Sequence, residues 1–272
     1  MKVYVSTGGY THPDWEGTFY PPEVKPSHFL SHYAQHFNAV EVNASFYSPV
    51  GQKSFSGMLE RSGGRLAFSV KLHQRFTHAR DGDADWVRRV LDGPKPIRDA
   101  QKLHFFLAQF PHSFQRTREN RAYLLGLTRV FAGEPLALEF RHDSWNVSEV
   151  RQAVLDQGWV WVSPDLPALG GLSRGFWEPC GSALYWRLHG RNPRWWESKD
   201  ASERHDYSYT ESELTKFADI ALDVLDKTDV LWVVFNNTTK GHAIRNSSRF
   251  KELLGDRGLE VQWPPGLGLW DV

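Results

Sequence analysis

The sequence predicts an α/β protein folded as one (β/α)8 barrel spanning residues 1–272. Three observations predict it. Eight short apolar runs recur along the chain, and helical patterns stand between most of them. The length, 272 residues, also suits a barrel of ~250 residues. Strand and helix in alternation argue for parallel strands with the helices outside them.

The runs are Val3–Val5, Ala39–Val42, Leu66–Leu72, Leu103–Phe110, Leu136–Phe140, Trp159–Val162, Ala183–Leu188 and Val230–Phe235. Each is rich in Val, Leu or aromatic residues and is bounded by polar or turn residues. Helical stretches cover Ser27–His36, Ala122–Phe131, Val147–Gln157, Glu211–Leu225 and Ala243–Leu254. In the first, Phe29, Leu30, Tyr33 and Phe37 share one face. Glu211–Leu225 is the clearest: Leu214, Phe217, Ala218, Ala221, Leu222 and Leu225 make one stripe, with Thr210 and Ser212 as N-cap candidates. One unit breaks the pattern. Between Val162 and Ala183 the chain reads SPDLPALGGLSRGFWEPCGS, with no helical period. The sixth helix is therefore expected to be reduced or replaced by a Gly/Pro-rich loop.

Composition narrows the function classes. Lys and Arg total 32, as do Asp and Glu, so the net charge is zero. That disfavours a broad nucleic-acid-binding face, which counterion release normally drives through excess positive charge. The lone cysteine, Cys180, excludes a disulfide framework within the chain and a cysteine-based zinc site. The N-terminal MKVYVSTGGY enters a strand directly, and no run of about 18 apolar residues exists. The expected setting is cytoplasmic, without a membrane partner. Twelve Trp, 17 Phe and 9 Tyr supply buried area and rings for stacking.

Side chains along a strand alternate between faces. In the second run Val40 and Val42 oppose Ala39, Glu41 and Asn43. In the third, Phe68, Val70 and Leu72 oppose Ala67, Ser69 and Lys71; in the fifth, Leu136, Leu138 and Phe140 oppose Ala137, Glu139 and Arg141. In the seventh, Leu184, Trp186 and Leu188 oppose Tyr185, Arg187 and His189. Helices outside the barrel demand the apolar faces, so the faces that end charged point inward. Their last residues gather at the C-terminal mouth, where sites of this architecture lie. Glu41, Asn43, Lys71, Gln109, Glu139, Arg141, Arg187, His189, Asn236 and Asn237 are placed around it. A core salt-bridge layer would account for some of these charges, but so many converging at an open end exceed what a core needs.

The same residues carry a family resemblance. The blocks are STGGYTHPDWEGTFYP (Ser6–Pro21), FNAVEVNASFY (Phe37–Tyr47), FSVKLHQRFTH (Phe68–His78), ALEFRHDSW (Ala137–Trp145), YWRLHGR (Tyr185–Arg191) and VVFNNTTKGHAIRNSSRF (Val233–Phe250). In this order they resemble the YecE-like family, also called domain of unknown function 72. The resemblance implies a TIM-type barrel and carries no established activity with it. There are departures: Thr11-His12 stands for the usual Ser-Tyr, Thr238-Thr239 for the acidic residue after the asparagine pair, and Asp165 is displaced behind Ser163-Pro164.

The expected chemistry follows from the mouth. Glu41 and Glu139 are candidate general acid and base, with His189 as a proton carrier. Lys71, Arg141 and Arg187 would hold a phosphate or carboxylate. Asn43, Gln109, His142, Asn236 and Asn237 would complete substrate binding. Tyr10, Trp15, Phe19 and Tyr20 of the first loop, and Arg191, Arg194, Trp195, Trp196, Tyr207 and Tyr209 of the long segment Gly190–Thr210, would form a lid over a ring-bearing anion. No cofactor is expected. Glu41, Glu139, His142, Asp165 and His189 are ligand types for a divalent metal, but the cations of the same mouth argue against one. The expected function is a hydrolase, lyase or isomerase acting on an anionic small molecule or nucleotide. The alternatives are a nucleic-acid-binding or repair protein, and a glycoside hydrolase using Glu41 and Glu139.

Overall fold

The computed structural model describes residues 1–179 and 181–261; Cys180 and residues 262–272 lie outside the described residues. Eight strands follow the expected runs: β1 Lys2–Thr7, β2 Ala39–Val42, β3 Ala67–Lys71, β4 Leu103–Phe110, β5 Leu136–Phe140, β6 Val160–Asp165, β7 Ala183–Leu188 and β8 Val230–Phe235. They pair in parallel, in the order β1-β8-β7-β6-β5-β4-β3-β2, so the two ends of the sheet are neighbours in sequence.

Side chains make the seam between those ends. Asn38, just before β2, accepts from the Val5 amide at 2.8 Å and donates to the Val3 carbonyl at 2.7 Å. The Tyr33 hydroxyl accepts from the Thr7 amide at 3.0 Å and donates to the Ala39 carbonyl at 3.2 Å. These bonds satisfy backbone groups that a ladder would otherwise satisfy. The result is a barrel of the TIM type.

The helices are α1 Phe29–His36, α2 Gln52–Arg61, α3 Gln74–Thr77, α4 Ala84–Asp92, α5 Lys95–Asp99, α6 Arg118–Val130, α7 Ser148–Asp156, α8 Ala201–Arg204, α9 Glu211–Asp223 and α10 His242–Gly255. Of these, α2, α3, α4, α5 and α8 have no counterpart in the sequence reading. Helices α3 and α8 are single turns of four residues, too short for a stripe. The other three have few buried residues: Phe55 and Met58 in α2, Val90 in α4 and Ile97 in α5. Among the described residues no helix joins β6 to β7, as the Gly/Pro-rich segment predicts. Helix α9 opens with a capping box in which Thr210 and Glu213 bond each other's backbone amides.

The outer strand faces and the helices form the larger core, which includes Val40, Val70, Leu138 and Trp186. A second core fills the barrel: Tyr4, Ala39, Ala67, Phe105, Leu107, Ala137, Val162, Tyr185, Trp232 and Val234. The inward alternation read from the sequence is therefore the alternation of the barrel. A register shift between β3 and β4 at Phe68/Ser69 lets Leu103 pack outward while His104 meets the Tyr4 and Trp232 rings inside. Above this apolar plug the interior turns polar.

Candidate functional site

Arg187 is the hub of that polar layer. It projects inward from β7, is 1% exposed, and reaches both predicted carboxylates. Its Nη2 donates to Glu41 Oε1 at 2.7 Å and its Nε to Glu41 Oε2 at 2.9 Å. Its Nη1 donates to Glu139 Oε2 at 2.5 Å. The Tyr185 hydroxyl donates to Glu41 Oε2 at 2.8 Å and lies 2.9 Å from Ser69 Oγ. Glu139 Oε1 takes Arg141 Nε and lies 3.2 Å from His189 Nε2. Every carboxylate oxygen here has a cationic partner, as buried charge requires.

These contacts set the ionisation. Burial alone would raise Glu139, but Arg141, Arg187 and His189 outweigh it and hold the carboxyl well below its ordinary value. Burial works against the Arg187 charge, yet Glu139 and Glu41 raise its pKa. His189 is pushed down to about 3, first by burial and then by Arg141. Its partners assign the neutral tautomer: the Asn236 amide nitrogen, 3.0 Å away, donates to Nδ1, and Nε2–H faces Glu139.

A cavity of about 460 Å³ opens above this layer. Six of the predicted residues line it: Asn43, Lys71, Gln109, Arg141, Arg187 and Asn236. Arg187 forms its floor. Lys71 ends β3 with its ammonium 3.0 Å from Gln109 Oε1 and 4.2 Å above the Phe46 ring. Burial, then Arg187, brings Lys71 down to about 7, with Glu41 and Glu139 opposing and Arg141 assisting. Arg141 lies 5.8 Å from the Trp195 ring. The buried Asn43 Oδ1 has no hydrogen-bond partner among the described residues. Among the described residues the lining has Lys71, Arg141, Arg187 and Arg204 and neither Asp nor Glu.

Several expectations need correction. Glu41, Glu139 and His189 are fully buried beneath the cavity and outside its described lining. With their oxygens bound by arginine, the two glutamates position Arg187 and Arg141 and have no free oxygen for a substrate. The same pairing removes the glycoside-hydrolase reading, which needs one carboxyl protonated and the other open to the sugar. His142 caps the turn at Asp143–Trp145, accepting from the Ser144 amide at 3.1 Å, so it stands beside the strand end instead of in the mouth. Trp15 is buried and donates to the Thr238 carbonyl at 2.9 Å. Tyr10 packs on Tyr33, and its carbonyl accepts from Tyr20. Both pin the first loop. Asn237 donates to the Tyr207 carbonyl and to Asn246 Oδ1, each at 2.9 Å, and ties the long loop to α10.

Asp165 does end β6, opposite Leu188. It faces away from the barrel axis, holding Arg191 through Nε at 2.9 Å and the Tyr209 hydroxyl at 2.6 Å. The five candidate metal ligands thus do not converge. Among the described residues no group of three His, Cys, Asp or Glu is arranged to hold a metal ion.

The sequence reading missed His12, His78, His112, Arg204 and His205, all in the lining. His205 is held well below its ordinary value by burial and by His189, Arg141 and Arg187. These residues sit in β-to-α connections, Arg204 at the end of the four-residue α8, where no sustained periodicity tells inward from outward. For His12, His78 and His112 the signal is position alone, a short way beyond a strand end; Arg204 and His205 lie far along the segment after β7 and carry none. Of the expected lid, Trp195 is buried while Trp196 is 53% exposed at the rim, against His112. Tyr47, 73% exposed, lines the same cavity.

Fold and site together define a β/α barrel with a cation-lined cavity at its C-terminal mouth, closed off below by an arginine–glutamate layer. The chain belongs to the family described as "Protein of unknown function DUF72", whose model matches residues 4–267. It is 28% identical over 269 residues to the UPF0759 protein YunF of Bacillus subtilis (strain 168), covering 93% of this chain and 94% of that protein. A crystal structure of a DUF72 family protein from Thermotoga maritima superposes with a TM-score of 0.86 at 34% identity, covering 94% of this chain and all of that one. A DUF72 family protein from Enterococcus faecalis, 21% identical, has a TM-score of 0.79 over 93% of this chain and 98% of its own, a likeness of fold. No described helix is long and apolar enough to cross a membrane.

Proposed function

We propose that the cavity binds an anionic small molecule, bearing phosphate or carboxylate, and that the protein is an acid–base enzyme of the hydrolase, lyase or isomerase kind. One observation carries this reading: four cationic side chains line the cavity and no described carboxylate does, in a chain of zero net charge. Among the described residues the four cations meet only the two carboxylates of the layer below, Glu41 and Glu139. Positive charge is thus left in excess at the cavity, and a bound anion relieves the repulsion. Arg141 is the anchor: Glu139 holds its Nε, its Nη2 lies 3.4 Å from His189 Nδ1, and its guanidinium lines the cavity with Nη1 left to meet an anion. Acid–base work falls to Lys71, whose pKa of about 7 suits proton transfer near neutral pH. Tyr47 and Trp196 at the rim offer faces for a ring-bearing substrate such as a nucleotide.

Calorimetric titration with inorganic phosphate, a dicarboxylate and a nucleoside monophosphate tests the reading. Arg141→Ala should weaken whichever anion binds by about 10–100-fold, the value of one lost charge-assisted hydrogen bond. Absence of binding by all three to the unaltered protein would refute the reading. The exposed Tyr47 and Trp196 also favour a second reading, a grip on an unpaired base of a nucleic acid. A single-stranded oligonucleotide that displaces phosphate, with steep salt dependence, would select it.

A further inference from the structure

Lys71 is placed for more than proton transfer. Its amine has one polar side-chain partner, the amide oxygen of Gln109 at 3.0 Å, and no carboxylate within ion-pair distance among the described residues. Glu41 and Glu139, the carboxylates whose charge reaches it, are spent on Arg187 and Arg141. Gln109 accepts one hydrogen, and the Phe46 ring lies 4.2 Å away on another side. The remaining side of the nitrogen faces the cavity, which it shares with Arg141, Arg187 and His78. A buried lysine needing charge alone would be paired with an acid. An amine held by an amide, over an aromatic face and among arginines, is the arrangement of a nucleophile.

We propose that Lys71 forms an imine with an anionic aldehyde or ketone held in the cavity, the anion on Arg141 and the carbonyl carbon at Nζ. The inference rests on the anion-binding reading and adds the substrate's carbonyl group. In the step, the neutral amine attacks and a C–N bond forms. The carbonyl oxygen then leaves as water, taking one hydrogen from the amine and one proton from solvent through the open cavity. The product is a protonated imine, and no electrons are exchanged with a further reagent. The iminium carries the positive charge that the amine gave up, now stabilised by the substrate's own anion. It serves as an electron sink for C–H or C–C cleavage beside the carbonyl, which narrows the reaction class to lyase or isomerase.

The test is borohydride trapping on the unaltered protein with glyoxylate, for a carboxylate, or glycolaldehyde phosphate, for a phosphate, followed by peptide mass spectrometry. At pH 7 about half of Lys71 is neutral, against about one in a few thousand for a lysine of ordinary pKa. The reduced adduct at Lys71 should therefore exceed that at surface lysines by about two orders of magnitude, be suppressed by inorganic phosphate, and vanish in Lys71→Arg. Which probe traps better identifies the anion. An adduct spread evenly over the lysines, or none at Lys71 while phosphate still binds calorimetrically, overturns the imine and leaves the anion site standing. No adduct together with no anion binding overturns both.

Discussion

Arg187 and Arg141 look alike in the sequence, two inward arginines at strand ends, yet their surroundings separate them. Arg187 supports two buried carboxylates, whereas Glu139 would keep Arg187 and His189 if Arg141 were lost. Arg187→Met should therefore destabilise by roughly 3–5 kcal/mol, the cost of orphaning buried charge. Arg141→Ala should cost well under half of that and act mainly on ligand binding. Thermal melts of the two variants, beside anion titrations, measure the split. Equal losses of stability would place Arg141 in the structural layer. Lys71 adds a pH dependence. Its protonated form, which attracts an anion, prevails below about pH 7. Sulfate, which does not itself titrate in this range, should bind most tightly below pH 7 and progressively less as pH rises through that value.

At the scale of elements, the barrel is closed at one seam by side chains instead of a ladder. Asn38→Ala leaves the buried Val5 amide and Val3 carbonyl without these partners. At about 1–3 kcal/mol for each unsatisfied group, the variant should lose a few kcal/mol, measured by denaturant unfolding. Asn38→Asp tests the same point, since it keeps the acceptor and removes the donor. The capping box of α9 is a milder case: Thr210→Ala should cost about 1 kcal/mol. The long segment between β7 and α9 is tied down by Asp165, Arg191 and Tyr209. It therefore holds Trp195, Arg204 and His205 over the cavity as a fixed wall.

For the whole molecule, charge is unevenly placed. Equal numbers of acids and bases conceal a mouth rich in cations. Neutral histidines follow from that placement, His189 buried and His205 half-buried at the cavity wall. His189, at about 3, and His205, well below its ordinary value, are neutral in the folded protein, while the unfolded chain protonates them near 6.5. Protons then bind the unfolded state preferentially below 6.5, so stability should fall as pH drops from about 6.5 toward 3. The depressed Glu139 acts in the same direction below about 4.3, the ordinary glutamate value. Melting temperatures across pH 3–8 check this, and a flat profile between 6.5 and 4.5 would contradict the two neutral histidines. Replacing His189 with Asn should flatten part of that slope.

What the sequence determined by itself is the local alternation: eight strands, the faces they turn inward, and hence Glu41, Lys71, Glu139, Arg141 and Arg187 inside one barrel. A period of two residues is a property of the extended chain, and burial on both faces makes it visible as an apolar face beside one ending charged. The Gly/Pro-rich replacement of the sixth helix was legible for the same reason, as absent periodicity. Helices α2, α4 and α5 were not, because too few of their residues are buried to draw a stripe. Only the tertiary structure decided depth and partnership. Arg187 meets Glu41 across 146 positions of sequence and Glu139 across 48, and nothing local encodes those distances. The tertiary structure made floor supports of the two glutamates, a cap of His142 and loop anchors of Tyr10, Trp15 and Asn237. It also brought His78, Arg204 and His205 to the cavity from connections too short or irregular to show a period. Strand alternation says which way a side chain points, but strand tilt and stagger set how high in the barrel it ends and which charge it meets.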